Sequence, residues 1–389
     1  MPAAYAVMRP DDLPAVSQVL GTAFNFDPAI VPEWCAQVGH DNVRVMRDGR
    51  EVMAALLLIP MGQFFGGQSV PMMGVAGVGT AVTSRGRGVG TALMAATALE
   101  LHDRGVALST LYPATETLYR RAGWAQAGTR FRVRVPLGNL PRGGRELGVR
   151  DYTETDRAAV EVLYAERARR IDGWIDRGSY AWRRVFQPRE GRARAYVVLG
   201  DGGPEGYVAF YSSPYVDRRN ELVVTDMIAA TPAARGRILT LIADHASLAT
   251  HVQWHGEAAD DWIGSLPDQR YEIRVDHFFM TRITNVAAAL EARGYAHGAA
   301  GRLELDVVDD VVPGNAGRLV LEVDSGRARV SPGGDGTLRV TIGGLASLYG
   351  AHLGARALVD LGQVQGPERA LAMAESLFGG RPATMRDQF

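Results

Sequence analysis

Two stretches of the chain repeat one succession of apolar and polar positions. Residues 7–20 read as a short strand, a polar turn at Arg9-Pro10-Asp11-Asp12, and a helix with apolar positions at 13, 16, 19 and 20. Residues 148–163 repeat the scheme, with Asp156 before a helix that brings Val160 and Leu163 to one side. Apolar spacing of i, i+3, i+4 makes a one-faced helix, and acidic residues suit its first turn. A hairpin pattern follows each time, at 44–59 around Asp48-Gly49-Arg50 and at 196–211 around Gly200-Asp201-Gly202-Gly203. Then come an apolar strand, at 75–82 and 222–229, and a helix. The repetition predicts two copies of one α/β unit, each of about 140 residues, a usual domain size.

From Asn285 the texture changes. Alternating strands are expected at 303–307, 319–323, 328–330 and 338–342, with helices at 345–361, interrupted by Gly350 and Gly354, and at 367–378. The last nine residues read as a non-helical tail. The domain expectation is therefore 1–140, 146–284 and 285–389, with a Pro/Gly/Arg-rich linker at 136–148. The fold class is α/β (α+β): two related α/β domains, then a smaller α+β domain.

Composition changes this picture only by exclusion. A net charge of -1 offers no general attraction for nucleic acid or an anionic membrane. All 42 basic residues are arginines, which a GC-rich coding sequence explains. Cys35 is the single cysteine, so an internal disulfide is excluded, and the histidines lack metal-ligand spacing, so no metal is expected. No apolar run reaches the ~18 residues of a membrane span, and residues 1–10 have no signal-peptide pattern. A cytoplasmic location is the default expectation.

The strongest chemical signal lies between the first apolar strand and its helix: Arg85-Gly86-Arg87-Gly88-Val89-Gly90. N–H groups at a helix start form an anion site, glycines let the main chain approach a phosphate, and arginines add charge-assisted contacts. A P-loop requires a lysine that the chain lacks, and a dinucleotide fingerprint requires a different glycine spacing. R-x-x-G-x-G after a strand resembles the pyrophosphate-binding signature of GNAT acetyltransferases. In the second copy Ala233 aligns with Arg85, Gly236 with Gly88 and Ile238 with Gly90, so that copy is expected to be degenerate.

With these motifs the whole chain resembles the Eis-type (enhanced intracellular survival) GNAT N-acetyltransferases: an active GNAT domain, a degenerate one, and a domain similar to sterol carrier proteins. Supporting stretches are Trp182-Arg183-Arg184-Val185-Phe186, Arg282-Ile283-Thr284-Asn285-Val286 and the chain end. The resemblance implies acetyl-CoA as co-substrate, held by 85–90, with the backbone of Val78, Gly79 and Thr80 meeting the oxyanion. It implies that Tyr119, in Leu118-Tyr119-Arg120-Arg121-Ala122-Gly123-Trp124, is the general acid toward the departing thiolate. A phenol of pKa near 10 is protonated at neutral pH and can donate. The C-terminal carboxylate of Phe389 is implied as general base, and a homo-hexamer as the assembly.

The resemblance also implies a small-molecule amine acceptor, aminoglycosides first, with Phe26, Asp27, Trp34 and Gln388 as candidate contacts. Two departures bear on this. Gln388 is neutral where the family's aminoglycoside binders have an acid, and Asn25 stands near an expected aspartate. Protein lysines or polyamines are alternative acceptors, and lipid carriage by the C-terminal domain is an alternative of another class.

Overall fold

The computed structural model describes residues 3–389. The first copy contains β1 (Ala4–Val7), α1 (Leu13–Phe24), α2 (Val31–Val38), β2 (Val43–Asp48), β3 (Glu51–Phe65), β4 (Gln68–Thr80), α3 (Val89–Asp103), β5 (Leu108–Leu111), α4 (Glu116–Arg121) and β6 (Ala125–Pro136). The second contains β7 (Gly148–Asp151), α5 (Arg157–Ala168), β8 (Ile175–Asp176), α6 (Ser179–Phe186), β9 (Arg194–Gly200), β10 (Gly203–Ser212), β11 (Asn220–Ala229), α7 (Pro232–Ala243), β12 (Ala249–Gly256) and β13 (Glu272–Ile283). The remainder is α8 (Val286–Ala292), β14 (Gly301–Val308), β15 (Gly317–Asp324), β16 (Arg327–Pro332), β17 (Leu338–Thr341), α9 (Ile342–Tyr349), α10 (Ala355–Asp360), β18 (Val364–Gln365) and α11 (Glu368–Phe378).

Contacts sort these elements into two compact units: residues up to 128 with 278–383 and Phe389, and residues 129–277 with 384–388. In the first unit the main sheet runs β1-β2-β3-β4-β5 and continues into Met280–Ile283 at the end of β13, which pairs antiparallel with β5. β3 is buried on both faces, which explains its unbroken apolar run at 52–59. Leu56 and Leu58 join Val89, Leu93, Met94, Ala98 and Leu101 of α3 in one core cluster. Leu57, on the opposite face by strand alternation, approaches Trp34 of α2.

The C-terminal segment packs into this same unit. Its sheet runs β16-β15-β14-β17-β18. Gly294 donates its backbone N–H to the Phe65 carbonyl at 3.0 Å. Buried Arg293 donates to the Tyr349 carbonyl at 2.8 Å, with its guanidinium over the rings of Tyr349, Tyr295 and Phe378. In the second unit the sheet order is β6-β12-β11-β10-β9-β7, and α7 packs on it through Ile238, Leu239 and Ile242. Among the described residues, no helix is long and apolar enough to cross a membrane.

One buried ion pair anchors the end of β13 in the first unit. Arg282 Nη2 donates to both Asp309 oxygens at 2.8 and 2.6 Å, and both side chains are fully buried. Removing one partner strands the other charge. Asp309→Ala is expected to cost about 3–5 kcal/mol, read as a lower urea midpoint at unchanged slope; an unmoved midpoint contradicts this account.

Candidate active site

The site begins where two parallel strands part. β4 pairs with β5 only through Met72–Gly74 against Leu108–Thr110. Beyond Gly74, β4 runs on to Thr80 with its ladder on the β3 side alone. The β3–β4 register also shifts, since Leu57 faces Ala76 while Ala55 faces Gly79. That is a bulge on β4 at Gly77 and Val78, and a bulge bends the strand and frees backbone groups from the ladder. Gly77 has φ of 60°, and a Cβ there would lie 2.8 Å from both Leu57 Cδ1 and Trp34 Cη2. Only glycine meets both demands. The free edge of β4, including Val78, Gly79 and Thr80, therefore borders the gap between the strands.

From Thr80 the chain passes through one 3-10 turn at Val82–Ser84 and the exposed run Arg85–Gly88 before α3. Gly86 and Gly88 both have φ of 75°. Their surroundings are open, so backbone conformation, not crowding, selects glycine. Among the described residues, no side chain caps the first turn of α3. An uncapped helix start presents the N–H groups of Val89, Gly90 and the residues after them to an anion. A Cβ on Gly90 would lie 2.8 Å from Leu118 Cδ1 and 3.1 Å from Thr80 Oγ1, so the end of β4, the start of α3 and α4 are in close contact. Arg85 Nε lies 3.5 Å from the Thr80 carbonyl, and Arg87 is also exposed.

The second copy shows the same joint closed. Only two residues separate β11 from α7, Pro232 takes the first helical position, and Thr231 caps the helix by accepting from Ala234 N–H at 3.1 Å. Thr231 in turn donates to Glu205 at 2.6 Å. Ala233, Gly236 and Ile238, aligned in sequence with Arg85, Gly88 and Gly90, all lie inside α7. The second copy lacks the exposed loop as well as its residues, a difference that position-by-position alignment hides.

Tyr119 sits on α4, 6% exposed, within the cluster that includes Val75, Val89 and Leu93. Burial pushes its phenol up to about 12. Phe389 is docked at the point where β4 and β5 part: a Cβ on Gly74 would lie 2.7 Å from its Cε2, and its ring is 6.2 Å from that of Tyr112. Phe26 joins Trp34 edge to face at 6.2 Å and stacks on Phe24 at 5.9 Å, so an aromatic wall stands beside the Gly77 bulge. Asp27 is exposed and caps a short turn, accepting from Ala29 N–H at 2.9 Å. Gln388 belongs to the second unit, where it lines a cleft with His255 and Tyr211.

Sequence reasoning missed what holds the tail. In the second unit Asp387 accepts from Arg177 Nε at 2.8 Å, and Arg177 also pairs with Asp226. Tyr207 donates to Asp226 at 2.6 Å, and Arg386 approaches the same carboxylate at 3.2 Å. Burial acts to raise Asp226, but the Arg177 and Arg386 charges prevail and hold it below the usual carboxylate range. The members lie far apart in sequence, so no local spacing announces them. Arg386 and Asp387, two charged residues in the expected non-helical tail, were the available signal.

A strand parting beside a bulge, a glycine-rich turn and an open helix start is the architecture of a GNAT acyltransferase. An acetyltransferase (GNAT) domain model matches residues 4–127, another matches 173–283, and a sterol carrier protein domain model matches 286–386. The chain is 29% identical to N-acetyltransferase Eis of Mycobacterium tuberculosis over 83% of each chain. It is 30% identical to an N-acetyltransferase of Streptomyces avermitilis, covering 82% of this chain and 81% of the other. A crystal structure of a GCN5-related N-acetyltransferase from Anabaena variabilis superposes with a TM-score of 0.94 at 32% identity, covering all of both chains. The chain belongs to the Eis-type GNAT N-acetyltransferases.

The tail anchor yields a direct expectation. Arg177→Met leaves Asp226 and Asp387 without their shared guanidinium and should loosen residues 384–388. Carboxypeptidase digestion should then release Phe389 at least about tenfold faster, given that breaking a buried pair costs several kcal/mol. Equal release rates from variant and parent would show that the pair does not hold the tail.

Proposed function

We propose that the protein transfers the acetyl group of acetyl-CoA directly to a primary amine of a small molecule. The observation that carries this reading is the gap beside β4 beyond Gly74, continuous in chain with the uncapped start of α3. The exposed loop fits a diphosphate: Arg85 and Arg87 supply guanidinium donors, and Gly88, Val89 and Gly90 supply main-chain N–H groups. The free edge of β4 at Val78, Gly79 and Thr80 offers N–H donors to the negative charge that develops on a thioester carbonyl oxygen.

The reaction balances without a redox partner. An amine N–H bond breaks and an N–C bond to the acetyl carbon forms. The C–S bond breaks, and the sulfur leaves as a thiol after gaining a proton. Tyr119 is the proton donor in this scheme. Among the described residues its hydroxyl has no hydrogen-bond partner, and burial keeps it protonated well past neutrality. The Phe389 α-carboxylate takes the amine proton, directly or through water, and orients the lone pair. A cysteine-linked acyl-enzyme is disfavoured, since buried Cys35 has its thiol pushed up to about 11 by desolvation and is a weak nucleophile at neutral pH.

Phe26 and Trp34 supply an aromatic wall for the acceptor. Family resemblance puts aminoglycosides at the head of the acceptor panel, followed by polyamines and a lysine peptide. The same resemblance supports a cytoplasmic homo-hexamer, which light scattering of the purified chain tests.

Thiol release from acetyl-CoA across that panel tests the scheme. Tyr119→Phe and deletion of Phe389 should each lower kcat by about 10²–10⁴-fold, with acetyl-CoA affinity retained. Arg85→Ala should mainly weaken acetyl-CoA binding. Because Tyr119 titrates only near 12, kcat should show no alkaline fall from loss of this acid between pH 8 and 10. Unchanged turnover on deleting Phe389 would remove the carboxylate from the mechanism.

A further inference from the structure

The sheet of the second unit has two ends of different character. At one, β11 and β12 part: they pair only through Asn220–Val223 against Ala249–Gln253 and then run on separately. That end receives the chain's tail, where Arg386 Nη1 reaches the Met227 carbonyl at 3.4 Å. At the other end a cleft of about 490 Å³ opens where β11 and β12 begin and β10 finishes. This is the volume of a small-molecule site. Its floor is the end of the hydrophobic core, at Phe210, Leu222 and Ala249. Tyr215 and Leu248 also line it, 60% and 54% exposed, large apolar surfaces left to water. The turn that follows Tyr215 is closed, since Val216 and Arg219 exchange backbone hydrogen bonds at 2.7 and 2.9 Å.

The polar groups of this cleft are unbalanced. Arg194 is the cross-strand partner of Phe210, so the two share a face of the sheet, and Arg192, two residues earlier, lines the same cleft. Both arginines are exposed, and among the described residues neither guanidinium has an ion-pair or hydrogen-bond partner. The carboxylate that lines the cleft, Asp244, is already bonded to Arg145 at 2.7 Å. Two neighbouring cations repel each other, and an oxyanion bound to both removes that cost. Surface arginines alone need nothing but water. Asn220 adds the second observation: it lines the cleft, is 6% exposed, and its Oδ1 has no hydrogen-bond partner among the described residues. Its backbone is already engaged, the N–H with the Leu248 carbonyl at 3.2 Å and the carbonyl with Thr250 Oγ1 at 3.4 Å. A buried acceptor without a donor is costly, and a ligand that supplies an N–H or O–H group relieves it.

We propose that this cleft binds a small organic anion with an apolar body and a hydrogen-bond donor. The oxyanion, carboxylate or phosphate, lies between Arg192 and Arg194. The body covers Phe210 and Leu222 under Tyr215 and Leu248, and the donor meets Asn220. The site stands on residues of the second unit alone and is independent of the acyl-transfer scheme.

Calorimetry on the full chain in excess CoA, which occupies the proposed diphosphate loop, tests this with matched probes. 4-Hydroxybenzoate carries the charge, the ring and the hydroxyl. Benzoate lacks the hydroxyl, 4-hydroxybenzyl alcohol the charge, and acetate the ring. 4-Hydroxybenzoate should bind at least about tenfold tighter than the alcohol or acetate, as a charge-assisted bond and a buried ring each imply, and tighter than benzoate. Phenyl phosphate against benzoate then identifies which oxyanion is preferred. Arg192→Gln and Arg194→Gln should each weaken 4-hydroxybenzoate about tenfold and leave the alcohol unmoved. Ser212→Trp, at an exposed position lining the cleft, should abolish binding while the Tm of the unliganded chain is kept. Equal affinity for 4-hydroxybenzoate and the alcohol, no saturable heat at millimolar probe, or heats that the three variants leave unmoved overturn the proposal. Equal affinity for 4-hydroxybenzoate and benzoate overturns the part given to Asn220. An oligomer that Ser212→Trp dissociates, with no heat from any probe, assigns the cleft to a second copy of the chain and likewise overturns it.

Discussion

The gap between β4 and β5 is the constraint on which the rest of the first unit depends. Two parallel strands bonded over three residues and then separated leave main-chain N–H groups without a ladder partner. Such groups are costly to bury unless something else binds them. The bulge at Gly77 widens that edge, and Trp34 occupies the volume a side chain would need there. The glycine-rich turn then leads straight from this edge into an uncapped helix start. Each feature alone is a local irregularity; in series they make one continuous edge of main-chain donors, which the proposed scheme assigns to a long, anionic thioester.

Comparison of the two copies shows how little separates a binding joint from a structural one. Both have the strand, the parting and the helix. In the second, a short connection and the Thr231 cap satisfy the helix's own N–H groups, so no anion is needed. The parting there is filled in part by the chain's own tail, fixed by Arg177, Asp226 and Asp387. One copy thus leaves its helix start uncapped, and the other caps it and fills the parting with an anchored chain end.

Much of this was legible in sequence because it is local. The hairpin turning at Gly49, the helix after Gly88 and the interrupted helix at Gly350 all follow from short-range pattern, and the structure has them at those places. The loop 85–90 was readable for the same reason. What stayed hidden depends on residues distant in sequence. The partner of β5 comes from β13, nearly the other end of the duplicated region, so the parting of β4 from β5 cannot be read from either strand. The tail anchor joins positions 177, 226 and 387, and the cleft that Gln388 lines gathers residues of α6, β6 and the tail. No periodicity encodes such meetings. Asp27 is an intermediate case: the candidate contact is exposed after α1, but its carboxylate is engaged as a turn cap.

Whether the strand parting and the open helix start form one cofactor site is best decided by diffraction from crystals soaked with CoA. The account places the diphosphate on the main-chain N–H groups of Gly88–Gly90 and the pantetheine arm along the free edge of β4 from Val75 to Thr80. Density for the ligand elsewhere, or an empty turn at a CoA concentration that saturates binding in solution, would contradict it.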